Sequence, residues 1–282
     1  MSIGLESIGA ALSVGVAMTV AGALPLYQGW RRRDRYHLVR DTPTETPATA
    51  TASETVLLRG TATARERPID APMTGDDALL AAWSIREWQD ENMNMKHWTP
   101  EARGLQMAAV RIEADGSAIT VPDRSHEAST DVLTSLVGYD AITGFEIDDA
   151  LVEFDEFDTA EEVPQGIDPP ERFRDLERRV GLDASQPGAT LIDLGRTHGT
   201  REYREAVVGS GDTLTVRGTV RQAKEPGVGR VLETPEDGPA ILSDLDADAL
   251  EQRYRRSYRI LFYGMICVIL LMMLIAGLVV AV

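Results

Sequence analysis

Apolar and polar positions alternate in short stretches through the middle of this chain, and that alternation predicts strands. TVLLRGTATA (55–64) is rich in β-branched residues and is followed by Pro68 and Pro72. In LLAAWSIREWQ (79–89), Trp83 and Ile85 alternate with Ser84 and Arg86. LQMAAVRIEADGSAITVP (105–122) reads as a hairpin: AVRIEA and SAITVP flank Asp115-Gly116, a dipeptide suited to the positive φ of a tight turn. Residues 199–220, GTREYREAVVGSGDTLTVRGTV, read as strand, Gly-rich turn and strand. Tyr203, Glu205 and Val207 share one face of the first arm, and Leu214, Val216 and Val220 are apolar in the second. GRVLETP (229–235) and PAILSD (239–244) add two short strands, and Ser243 or Asp244 caps a helix that starts near Asp246. The period changes in PPERFRDLERRVGL (169–182): prolines open a helix, Phe173, Leu176 and Val180 share a face, and Gly181 closes it. DDALVEFDEFDTA (148–160) fits neither period. LLRGTAT (57–63) and TVRGTVR (215–221) form a faint internal echo, two segments that could pair at the two ends of one sheet.

The ends of the chain break this pattern. From Ile260 to Val282 there is no charged residue over 23 positions. A helix of that length reaches about 34 Å, the span of a hydrocarbon core. Residues 7–30 are also uncharged, though interrupted by Gly9, Gly15, Gly22 and Pro25. The segment before them, MSIGLES, is acidic, which favours a retained helix over a cleaved signal. RRRDRYHLVR follows the first run and EQRYRRSYR precedes the second, so both basic flanks predict a cytoplasmic middle. The expected fold is a membrane-anchored α+β chain, its mainly β soluble domain (barrel-like or a packed antiparallel sheet) lying between two transmembrane helices. The expected segments are a transmembrane helix at 7–30, a basic flank and Thr/Pro-rich linker at 31–54, a β-rich domain at 55–244, a juxtamembrane helix at 245–259 and a transmembrane helix at 260–282. The expected location is the cell membrane, multi-pass with two spans.

Charge narrows the partners. The formal net charge is −17, and lysine occurs only at Lys96 and Lys224. Abundant acid with almost no lysine suggests a halophilic protein, one made for concentrated salt, where screening acts over a few ångströms. Such a field also disfavours nucleic acid, which repels an acidic surface. The one cysteine, Cys267, excludes a disulfide within the chain.

Little in the sequence points to catalysis. His37, His97, His126 and His198 are scattered, and no closely spaced His/Cys set predicts a metal. GSGD (209–212) contains a Gly-x-Gly but lacks the following helix that would aim N–H groups at a phosphate, so a tight turn explains it. Acidic pairs are too common here to single out. No catalytic residue, cofactor or metal is expected. Trp83, Trp88 and Trp98 cluster in AWSIREWQDENMNMKHW, either as core or as an exposed aromatic patch for a partner.

Taken in order, LLRGTA, APMTGDDALLAAWSIREW, AVRIEADGSAITVP and GTREYREAVVGSGDTLTVRGTV resemble the GIDE domain. This domain is also called BAM, "beside a membrane", and occurs in mitochondrial membrane-anchored ubiquitin ligases. Gly199, Arg201, Tyr203 and Glu205 match its G-x-R-x-Y-x-E pattern, and Gly211, Asp212, Leu214, Val216 and Gly218 match its G-D-x-L-x-V-x-G hairpin. The resemblance covers roughly residues 55–282. It implies a domain whose eukaryotic relatives carry ligase activity in a cytosolic RING finger after the second span. A RING needs two zinc ions on Cys and His sets, and Cys267 alone cannot build one. The resemblance therefore implies a non-catalytic, membrane-anchored module that binds or scaffolds a protein partner, with Trp83, Trp88, Arg201, Tyr203 and Glu205 as candidate partner-binding residues. The alternatives are a ubiquitin-ligase-like protein acting with a separate RING partner, and a structural membrane oligomer. The expected partners are the lipid bilayer, an unidentified protein and a second copy of the chain.

Overall fold

The computed structural model describes residues 27–89, 97–129, 144–182, 198–224 and 229–281. In chain order its strands are β1 (Thr44–Glu45), β2 (Thr55–Ala64), β3 (Ile69–Asp70), β4 (Asp77–Ala78), β5 (Leu80–Gln89), β6 (His97–Met107), β7 (Val110–Ala114) and β8 (Ser117–Val121). These are followed by β9 (Arg124–Ser129), β10 (Gly144–Ile147), β11 (Ala150–Glu153), β12 (Asp158–Val163), β13 (Arg201–Val208), β14 (Thr213–Gln222), β15 (Arg230–Glu233) and β16 (Ala240–Ser243). Helices occupy residues 27–41, Glu171–Arg179 and Ala247–Ala281. Two compact units result, Thr42–Ala247 and the helical ends.

The β unit is built on a closed ring of five strands. β2 pairs with β7, β7 with β8 and β15 with β14, all antiparallel; β8 meets β15 in parallel, and β14 returns to β2. This order, with one parallel contact, is that of an OB-type Greek-key barrel. Closure removes the open edges that a flat sheet of these strands would expose. Val56, Leu58, Ile112, Ile119, Val216 and Leu232 are buried in its core, alternate positions pointing inward. At the β7–β8 turn, Asp115 and Gly116 take φ of 52° and 71°, the geometry expected of Asp-Gly.

The two echo segments do pair, as direct neighbours in the barrel. β2 and β14 run antiparallel, with Arg59 opposite Thr215 and Gly218 opposite Val56. Each Arg-Gly pair does a similar job. Arg59 donates to Thr215 and to the carbonyl of Asp244, and the fully buried Arg217 donates to Thr42, Asp237 and the carbonyl of Pro239. A Cβ on Gly60 would lie 2.6 Å from the Glu113 carbonyl oxygen, and one on Gly218 2.4 Å from Leu232 Cγ. Both glycines let the next strand approach.

A second, five-stranded sheet runs β12-β13-β5-β6-β9. Leu80 and Ala82 of β5, with Ala206 and Val208 of β13, face the barrel's core cluster. Trp83, Ile85 and Tyr203 face the other way, onto Phe173 and Leu176 of the helix Glu171–Arg179. β5 is therefore buried on both faces at its N-terminal half.

Three expectations change. The 199–220 motif is not a hairpin: β13 belongs to the five-stranded sheet and β14 to the barrel. Residues 209–212 turn the chain from one to the other. Asp212 accepts from the Gly209 N–H, and Gly211, at φ 101°, donates to the carbonyl of Ala62, whose own N–H bonds Asp212. Both edges of each arm are taken, β13 by β12 and β5 and β14 by β2 on one side and β15 and β16 on the other, so the arms do not pair and the turn serves as a corner. The Thr/Pro-rich stretch is likewise held: β1 pairs with β2, and Arg230 donates to the carbonyls of Pro47 and Ala50.

The third change concerns the ends. Among the described residues no helix is long and apolar enough to cross a membrane. The two transmembrane helices, the membrane-anchored fold class, the membrane keywords and the multi-pass localisation are corrected on that finding. Most of the uncharged 7–30 run lies outside the described residues, and the helix at 27–41 passes at once into RRRDR. Ala247–Ala281 begins with a strongly charged segment, EQRYRRSYR. Within this helical unit Tyr36 lies on Tyr258 with ring centroids 5.3 Å apart, and Gly29 faces Leu261.

Trp83 supplies a test of the packing. It is opposite Gly104 across β5 and β6, and a Cβ there would lie 2.3 Å from the indole ring. Gly104→Ala is expected to cost about 1–3 kcal/mol, read as a lower urea midpoint with altered tryptophan emission. An unchanged midpoint and spectrum would show that the ring does not occupy this position.

Candidate functional site

The Arg201-Tyr203-Glu205 alternation of β13 puts three polar side chains on one face of the five-stranded sheet. All three are buried. Each answers a specific neighbour. The Tyr203 hydroxyl donates to Glu177 Oε1 at 2.6 Å, and Arg201 Nη1 donates to the same oxygen at 2.6 Å. Arg201 Nε reaches Glu87 at 3.3 Å. The Tyr203 ring stacks on Phe173, centroids 4.4 Å apart and planes 19° from parallel. Two residues of β13 thus hold the helix Glu171–Arg179 by its Phe173 and its one buried carboxylate.

Glu205 holds a loop instead. It accepts from the N–H of Met73 at 3.0 Å, and from the N–H and hydroxyl of Thr74 at 2.8 and 2.9 Å. The loop closes on itself through Gly75 N–H to the Ala71 carbonyl and Ala71 N–H to the Asp76 carbonyl. Gly75 has φ 78°, and the Arg172 guanidinium lies where its Cβ would be. Glycine is required there both for the backbone and for the arginine.

Helix and loop border an open cleft of about 560 Å³, lined by Asp70, Ala71, Pro72, Arg172, Asp175, Arg178 and Arg179. Arg178 bonds Asp175, and Arg179 lies 3.4 Å from Glu127. Arg172 has no hydrogen bond or ion pair among the described residues.

Burial, then the hydrogen bond to Glu177, push the Tyr203 phenol far above its ordinary range. Burial lowers the Arg201 guanidinium, but the hydrogen bond and charge of Glu177 outweigh it and raise the group above its usual value. Both groups therefore keep their protons, and neither is a base. Glu101, beside them, is raised by burial and by the charge of Glu87, with Arg201 acting against the shift.

The sequence-predicted residues separate here. Arg201, Tyr203 and Glu205 come together, and Trp83 packs in the same layer, fully buried. All four side chains are buried, in the layer beneath the helix Glu171–Arg179 and the 70–76 loop. Trp88 lies at the other end of β5, opposite Trp98, with rings 5.2 Å apart and edge to face, and Arg86 lies over Trp98 at 5.4 Å. Gly199, at φ 80°, starts β13 by donating to the Trp88 carbonyl. Gly211 and Asp212 form the sheet-switching corner, while Leu214, Val216 and Gly218 belong to the barrel. Glu177 and Arg172 escaped the sequence reading. Glu177 had a signal: it sits at i+4 from Phe173, an acid on the helix's apolar face.

A metal has poor prospects. His126, Asp148 and Asp149 bring ligand atoms within 4.8 Å of one another. Both Asp149 oxygens are engaged, one by Arg124 at 3.1 Å and one by the Thr234 hydroxyl at 2.7 Å. A cation there would have to displace an arginine, so these residues fit a structural tie better than a metal centre.

Two measurements follow. Tyr203→Phe keeps the ring stack and removes one hydrogen bond to a buried carboxylate, and is expected to cost about 2 kcal/mol. Glu177→Ala strands Arg201 and should cost more, about 3–5 kcal/mol. Urea midpoints of both variants check this, and losses below about 0.5 kcal/mol in both would remove the network from the fold's support. Glu101→Gln tests the pH side. The raised carboxyl binds its proton more tightly folded than unfolded, so the ionised form lowers stability above its folded pKa. The variant should be more stable than wild type at neutral pH, and the difference should fade as pH falls toward 4.5, the carboxyl's ordinary value. A pH-independent difference would contradict the assignment.

Compared with models of known protein families, with curated proteins and with solved structures, the chain matches none of them.

Proposed function

We propose that the chain is a non-catalytic module that binds a protein partner through the surface formed by the helix Glu171–Arg179 and the 70–76 loop. The observation that carries this reading is the use of β13. Three consecutive inward positions, Arg201, Tyr203 and Glu205, fix a helix and a loop whose outer side is solvent-exposed and rich in arginine. Buried polar groups are costly unless fully answered. Their concentration under one surface element is an arrangement for holding that element still. A surface held still loses little entropy on association.

Two further points support a protein partner. The ordered segments resemble the GIDE/BAM domain, in whose ligase relatives the chemistry resides in a separate RING. An OB-type barrel often binds single-stranded nucleic acid on the faces of its second and third strands, using aromatic platforms. Here those strands are β7, VRIEA, and β8, SAITV, with no aromatic residue and a single cation. With a net charge of −17, nucleic acid is a poor fit.

The test is site-specific photo-crosslinking of the full chain in its own cells. One photoreactive residue replaces Arg174, exposed on the helix, and another replaces Asp115, at the β7–β8 turn. A discrete crosslink to a different protein from position 174, and not from 115, is the expected result. Products containing only the chain itself, or no product at 174, would overturn the reading; the former would favour a self-associating structural role.

A further inference from the structure

The cleft has a charge character opposite to that of the chain. The protein holds 45 acidic and 28 basic residues. On the helix ERFRDLERR the balance reverses. Arg172, Arg174, Arg178 and Arg179 are exposed, against exposed Glu171 and Asp175. The third acid, Glu177, is turned inward and answered by Arg201. The fold removes one negative charge from this face and leaves the arginines outside.

Arg172 is the centre of the argument. Its guanidinium lies across Gly75, on a loop that Glu205 pins with three hydrogen bonds. It is thus positioned, yet among the described residues it meets no carboxylate. Arg178 is engaged by Asp175, three residues before it, an exposed pair of the kind that contributes little. It can exchange that carboxylate for another at small cost.

We propose that this cleft takes an acidic peptide segment of the partner, its carboxylates accepting from Arg172 and Arg178. Guanidinium suits this role because its planar fork can bond a carboxylate through two donors at once. Asp70, which also lines the cleft, accepts from a backbone N–H or a cation of the same segment. Length sets its selectivity: a long polyanion such as nucleic acid would run past the cleft and meet the chain's overall negative charge, whereas a short acidic segment confined to the cleft meets Arg172, Arg178 and Arg179. The proposal rests on the protein-binding reading above and adds the chemistry of what is bound.

The experiment uses the full chain and a fluorescent octaglutamate peptide, followed by anisotropy in about 0.1 M KCl, where exposed charges are only partly screened. Octaglutamine and oligothymidylate serve as comparison probes. Saturable binding of octaglutamate and none of octaglutamine is expected. Arg172→Gln with Arg178→Gln should weaken it at least about tenfold, the loss of roughly 1.4 kcal/mol. Arg111→Gln, an exposed arginine on β7, should leave it unchanged. Both cleft arginines are exposed, so the double variant should melt as wild type does. Failure of octaglutamate to saturate, indifference to the double substitution, or tighter binding of oligothymidylate would each overturn the proposal. Crosslinks from position 174 that persist in the double variant would sink this inference and leave the protein-binding reading standing. Loss of those crosslinks in the double variant alone is the result expected, whereas their absence from the chain with both arginines intact would sink the binding reading itself.

Discussion

A carboxylate inside a protein needs donors around it, and Glu177 has two aimed at a single oxygen, from Arg201 and Tyr203. The rest of the site depends on that meeting point. It fixes the rotation of the helix Glu171–Arg179, because only one turn of the helix carries Glu177 and Phe173 down to β13. With the rotation fixed, the arginines are directed outward and Arg172 lands on the glycine of the neighbouring loop. The coupling is tight because a charge pair in low dielectric is costly to break from either side. A purely apolar face would let the helix roll by small repacking; a three-centre polar contact does not.

The same strand links the site to the barrel. β13 leaves the five-stranded sheet at Val208, and four residues later the chain enters β14, the strand that closes the barrel on β2. The corner between them is tied to Ala62 of β2 by two backbone hydrogen bonds. Strain or movement in one sheet therefore meets the other at a single, well-bonded turn. The two core clusters lie on opposite faces of β5 and β13, so these central strands are shared walls. An acidic chain gains from this arrangement. Arg59 and Arg217 are enclosed near the barrel seam, where carbonyls, hydroxyls and one aspartate answer them.

Much of the strand content was legible because period-two alternation is a local property. The Asp-Gly hairpin, the strands at 55–64 and 79–89, and the helix near 169–182 with its Gly181 stop all follow from neighbours in sequence. The 199–220 motif shows the limit. Its two arms and its turn were correctly read as strand, turn and strand, yet their partners are β5 and β2, far away in the chain. Pairing depends on which distant strand buries each face, and no local pattern carries that information. The uncharged runs at the ends show another limit. A run of apolar letters gives length and hydropathy, but among the described residues no helix meets the requirement for crossing a membrane.

The candidate residues divide along the same line. Sequence alone determined that Tyr203 and Glu205 share a face, that the chain is acidic with arginine as almost its only cation, and that Phe173, Leu176 and Val180 share one face of a helix. Those facts need only backbone period and composition. Tertiary structure alone decided that the shared face points inward, that Glu177 meets it, and that the arginines on the far side of the same helix border a cleft. The physical reason is that a strand in a two-sided sheet has no outside. Whether a polar residue there faces solvent or a buried partner depends on what packs over it, and that element lies elsewhere in the chain.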